Sequence, residues 1–162
     1  MAGHGPGADD GFTFVELVVV LVLIGLFAVV AAPRLWGRGA GGMSNDLFVH
    51  DVLSAVRFAQ KSAVASRCGT QVDIAPAGYT VTRQTGCAGA VYAEAVHHPG
   101  TGNLGYAGTA PSGVTLSSTV DPIRFDALGR AADSAGTVSD VVLSVGTRSI
   151  AIAGDTGYAY LP

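Results

Sequence analysis

Few residue types in this chain are placed where they could do chemistry, and Glu16 is the most conspicuous of them. It is the only ionisable side chain in the otherwise apolar run from residue 12 to residue 32. An intramembrane carboxylate costs roughly 2.5–3.5 kcal/mol on insertion scales, so it calls for a positive partner. Read blandly, the same residue is an interfacial glutamate near a helix start. Cys68 and Cys87 are the only two cysteines. Together they suit a single disulfide in an oxidising compartment, or else two buried thiols. Closing a loop of that size would stabilise the fold by roughly 3 kcal/mol in the chain-entropy model. A zinc site would need His97 and His98 as well, and adjacent histidines rarely face one metal. Asp121, Asp126, Asp133 and Asp140 match no compact calcium loop and read as solvated turn carboxylates. No Ser/His/Asp or Cys/His arrangement stands out. A non-enzyme without cofactor or metal is the expectation.

The elements that must position these groups follow from composition and period. The chain has 162 residues, 49% of them hydrophobic and 13% charged. That allows one modest domain plus a membrane segment. Residues 1–11 are Gly-rich and polar and are set apart as a leader. Residues 12–33 form an apolar helix of about 21 residues, which at 1.5 Å per residue spans a bilayer core of ~30 Å. Pro33 is expected to kink or stop it. Residues 34–43 are Gly-rich and read as a hinge.

A second helix over residues 44–67 carries Phe48, Val52, Ala55, Val56, Ala59 and Ala63 on one stripe, with His50, Arg57 and Lys61 on another face. The stripe requires a sheet to cover it. Gly69 is the expected stop. Residues 68–162 are β-rich, with strand signals at 71–74, 79–82, 114–118, 123–125, 138–145, 149–153 and 158–161. Residues 97–113 read as one long loop. The fold class is therefore α+β, a long N-terminal helix whose second half packs on an antiparallel sheet.

The segment from Gly11 through Phe12, Thr13, Phe14 and Val15 to Glu16, followed by the apolar run, resembles the type IV prepilin and pseudopilin signal. The resemblance implies cleavage after Gly11 by a prepilin peptidase and methylation of the new N-terminus at Phe12. Glycine before the cut suits a crowded site, because it extends without a side chain. The resemblance also gives Glu16 an assembly role, meeting the N-terminal amine of a neighbouring subunit. Pro33 falls at the twenty-second mature position, where pilins commonly have proline. Three later stretches resemble the minor-pilin branch that includes GspH, FimT and MshC. They are AVRFAQKSA at 55–63, IRFDALG at 123–129, and TRSIAIA at 147–153 followed by GYAY at 157–160.

On this reading the chain is a minor pilin or pseudopilin of a type IV pilus or a type II secretion pseudopilus. It is anchored in the inner membrane with a periplasmic domain, and its partners are prepilin peptidase and other pilin or pseudopilin subunits. Leaders of this family carry Lys or Arg, whereas residues 1–11 have none and Arg34 and Arg38 lie just past the helix. Taken literally, this distribution opposes the positive-inside rule, and an upstream start with a basic leader is the expected explanation. The alternative function, FimT-like DNA capture, needs clustered Lys and Arg on one face. Residues 110–162 hold three arginines against five aspartates, so nucleic acid is not an expected partner.

Overall fold

The computed structural model describes residues 13–36 and 40–162, with side chains described for 13–27 and 44–162. The chain divides into one unit carrying the first helix and a second unit spanning residues 41–162. The first helix, α1, runs Phe14–Trp36. Thr13 caps it, its hydroxyl accepting the Glu16 N–H at 3.2 Å and its carbonyl accepting the Leu17 N–H at 3.2 Å. These contacts satisfy donors that the first turn leaves open. Every side chain from Thr13 to Phe27 is exposed. Among the described residues no helix is long and apolar enough to cross a membrane. The described side chains of α1 stop at Phe27, while the apolar sequence continues to Ala32.

Pro33 does not end α1, which continues to Trp36. A proline removes one backbone donor, and the helix persists beyond that loss. The second helix, α2, spans Ala40–Ser66 and begins earlier than residue 44. Within the expected hinge at 34–43, residues 34–36 and 40–43 are thus helical, and 37–39 lie outside the described residues. Glycine in a helix costs about 1 kcal/mol relative to alanine, which discourages a helix without forbidding it.

The α2 stripe is buried as its period requires, from Phe48 through Val52, Ala55, Val56 and Ala59 to Ala63, with Val49 and Leu53 widening it. The alanines keep the helix surface low. Thr70 can therefore approach closely enough to donate its hydroxyl to the Ala59 carbonyl at 2.7 Å. The helix stops at Arg67 rather than at Gly69. Arg67 takes a left-handed φ of 54°, and Cys68 N–H reaches back to the Ala63 carbonyl at 3.3 Å, closing the end as a Schellman turn.

Two antiparallel sheets cover the stripe, where one was expected. The larger contains β1 (Thr70–Ala75), β2 (Gly78–Gln84), β3 (Tyr92–Ala95), β4 (Tyr106–Thr109), β6 (Ile123–Phe125) and β7 (Ala131–Ala132), ordered β3-β2-β1-β6-β7 with β4 also on β2. The smaller contains β5 (Leu116–Ser118), β8 (Val141–Val145), β9 (Arg148–Ile152) and β10 (Ala159–Tyr160), ordered β10-β9-β8-β5. Val72, Val81, Ile123 and Phe125 from one sheet and Leu143, Val145, Ile150 and Ile152 from the other join α2 in one core. The expected loop at 97–113 contains β4 and a bridge between His97 and Leu104. The buried Tyr106 ring accounts for this, since it packs edge-on to Phe58 and Tyr79.

Candidate functional site

The N-terminal end of α1 is the site singled out by the sequence. Thr13 and Glu16 stand at the spacing of a capping box, threonine followed three residues later by glutamate, and the Thr13 half of that arrangement is formed. Among the described residues Glu16 has no ion-pair partner. It borders an open apolar depression with Leu17, Val20 and Leu21, its neighbours one turn on. Among the described residues, an exposed apolar helix therefore presents a carboxylate that no cation meets. Gly11 and Phe12 lie outside the described residues.

Cys68 and Cys87 form a disulfide with their Cα atoms 4.7 Å apart. It ties the end of α2 to a short 3-10 turn at Thr85–Cys87. Gln84 braces the same corner. Its N–H donates to the Gly69 carbonyl at 2.8 Å, and its side-chain oxygen accepts the Gly69 N–H at 3.2 Å.

The four late aspartates hold backbone rather than sitting loose in solvent. Asp121 accepts the Ile74 N–H at 3.0 Å, and Asp140 accepts the Gly154 N–H at 2.7 Å. Asp126 accepts N–H from Leu128 and Arg130, each at 2.9 Å. Asp133 does the same for Ala135 at 2.8 Å and Thr137 at 2.9 Å. Burial raises the Asp73 carboxyl above its ordinary range and the nearby Asp121 adds to the rise, while a hydrogen bond from Gln71 and the charge of Arg124 oppose it. Among the described residues no group of acidic, His or Cys side chains could hold a metal.

Sequence reasoning missed the polar side of α2. Arg57 donates from Nε at 3.0 Å and Nη2 at 2.8 Å to the Ala159 carbonyl. Gln60 donates to the Thr156 carbonyl at 2.6 Å. Asp51 accepts the Tyr79 hydroxyl proton at 2.7 Å, and burial together with that carboxylate pushes the phenol's pKa far up. Such pairings join residues distant in sequence, so no local pattern announces them.

The described arginine side chains do not gather into a phosphate-binding face. Arg148 pairs with Asp46 at 3.0 Å, Arg130 with Asp126 at 2.7 Å, and Arg83 with Glu94. Arg124 donates from Nε to Gln71 at 2.9 Å and from Nη1 to the Ser134 carbonyl, and it stacks 4.5 Å over Tyr92. A cleft of about 250 Å³ opens beside it, lined also by Asp126 and Gly136. The Asp126 carboxylate is already engaged by its own turn. One unengaged guanidinium nitrogen defines no ligand.

Two comparisons bear on this arrangement. The model of the prokaryotic N-terminal methylation motif matches residues 8–32. The fold is similar to that of the minor pseudopilin EpsH from the Type 2 Secretion System of Vibrio cholerae, with a TM-score of 0.55 and 11% identity over 73% of this chain and 94% of that one. No curated protein sequence matches the chain.

Proposed function

We propose that the chain is a prepilin-class filament subunit, a structural protein rather than an enzyme. Prepilin peptidase cuts it after Gly11 and methylates Phe12. The apolar helix then holds it in the inner membrane until it joins other pilin or pseudopilin subunits. The observation that carries this reading is the methylation motif at 8–32, most of which is the α1 helix, whose described apolar side chains are all exposed. An apolar helix whose Glu16 has no ion-pair partner among the described residues needs lipid first and neighbouring helices later. The likeness in fold to a minor pseudopilin supports a minor subunit of a type IV pilus or a type II secretion pseudopilus. DNA capture finds less support, because most described arginines are bonded within the chain.

Co-expression with a prepilin peptidase tests the reading. N-terminal mass spectrometry should find a mature chain starting at methylated Phe12, and a bulky residue in place of Gly11 should block the cut. Cleavage after Ala31 or Ala32 would replace the proposal with an ordinary secretory signal.

A further inference from the structure

Two adjacent histidines in the loop between β3 and β4 make opposite demands on their protons. His98 Nδ1 lies 3.0 Å from the Gly100 N–H and 3.2 Å from the Thr101 N–H. Both neighbours are donors, so this nitrogen must be bare and the proton of the neutral ring belongs on Nε2. His97 Nδ1 lies 3.0 Å from the Gly102 carbonyl oxygen, which can only accept, so this nitrogen must carry a proton. A ring nitrogen's partner sets its tautomer, and here the partners set two different ones.

The surroundings of His98 decide what its protonation does. Its ring packs against the buried Tyr106 of β4, with centroids 4.3 Å apart. Behind Tyr106 stand Tyr79 of β2 and Asp51 of α2, whose carboxylate holds the Tyr79 hydroxyl. His97 is the remaining titratable group in the loop. Among the described residues no carboxylate pairs with His98.

We infer that residues 98–101 form an acid-released latch, held shut by the neutral His98 ring and opened when Nδ1 takes a proton. The protonated nitrogen is a donor facing two donors, so both hydrogen bonds are lost together. His97 already donates from Nδ1, so its bond to Gly102 survives protonation. The release is therefore local. The flanking bonds from His98 N–H to the Asn103 carbonyl and from Gly102 N–H to the His98 carbonyl, both 2.8 Å, involve no titrating atom. The result is a surface beside Tyr106 whose shape depends on pH, independent of the filament proposal.

The test is nuclear magnetic resonance of the full chain, 15N-labelled, in detergent micelles. At about pH 8 the imidazole spectra should show the Nε2–H tautomer for His98 and the Nδ1–H tautomer for His97. On acidification the Gly100 and Thr101 amide signals should move together with the His98 ring, about nine-tenths of the change being complete one pH unit below the midpoint. His97→Ala should keep that titration. His98→Asn offers a side-chain oxygen that accepts without titrating, and should hold both amides in place across the range. An Nδ1–H tautomer at His98, or the same amide titration in His98→Asn, would overturn the inference.

Discussion

Asp126 and Arg130 close one turn on each other, the carboxylate meeting the Arg130 guanidinium at 2.7 Å while it also receives two backbone N–H groups. The backbone completes the turn through Gly129 N–H to the Asp126 carbonyl at 2.9 Å, with Gly129 at a φ of 82°. The same design recurs seven residues on, where Gly136 N–H donates to the Asp133 carbonyl at 3.0 Å and Gly136 has a φ of 84°. Both are type I turns followed by a left-handed glycine, one on either side of β7.

Burial alone would raise the Asp126 carboxyl, but the Arg130 backbone, the Arg130 side chain and the Leu128 N–H outweigh it and hold its pKa below the ordinary value. A depressed carboxyl stabilises the fold above its unfolded pKa, and that stability is lost as pH falls through the folded value. Asp126→Ala should cost about 1–2 kcal/mol at neutral pH, the range for losing a backbone cap. Urea unfolding of both proteins at neutral pH and below about pH 4 should show the gap narrowing in acid, modestly, because an exposed pair is screened.

Reducing the Cys68–Cys87 bridge should lower stability by about 3 kcal/mol for a closed loop of this size. Urea midpoints with and without reductant measure the loss. Thiol labelling of denatured, unreduced protein from an oxidising compartment should find no free cysteine.

Arg67 holds a left-handed conformation that costs a residue with a Cβ roughly 1–2 kcal/mol. Its side chain is exposed. Arg67→Gly should stabilise the chain by about 0.5–1 kcal/mol, the unfolded-state entropy of glycine offsetting part of the relief. A raised urea midpoint with an unchanged slope is the expected result.

Glu16 can be separated from helix formation, because Thr13 caps α1 through the Glu16 backbone N–H rather than its carboxylate. In a low-dielectric filament core a carboxylate meeting a neighbour's terminal amine attracts far more strongly than in water. Removing one partner leaves the other charge unpaired. Glu16→Gln and Glu16→Ala should both leave whole-cell levels unchanged and reduce recovery in sheared filaments, as read by immunoblot. Equal recovery would make Glu16 a bystander.

Period and local chemistry carried the legible part of the fold. Phe48 to Ala63 showed its stripe because a helix repeats it several times, and 123–125 was found as a strand because Ile123 and Phe125 alternate around Arg124. Strand β3 stayed hidden because its Tyr-Ala-Glu-Ala sequence carries little apolar signal, and β7 is only two residues long. Tyr106 was lost among the glycines of 97–113, whose turn chemistry outweighed one buried ring. The division into two sheets depends on pairings between distant strands, which no window of sequence contains. The N-terminal motif was readable because its polar part, from Gly11 to Glu16, is consecutive and the apolar run follows it without a break.

The bonds from Arg57 and Gln60 to the carbonyls of Ala159 and Thr156 reach across most of the domain's length. They make residues 156–159 a clasp for α2. During synthesis α2 emerges with these donors facing no partner, and it keeps them so until residues 156–159 arrive. Completion of this domain must therefore wait until residues 156–159 have left the ribosome's exit tunnel. A nascent chain that stops short of them would present an open helix to chaperones and proteases, so strand β10 and the turn before it act as a late checkpoint on the docking of α2.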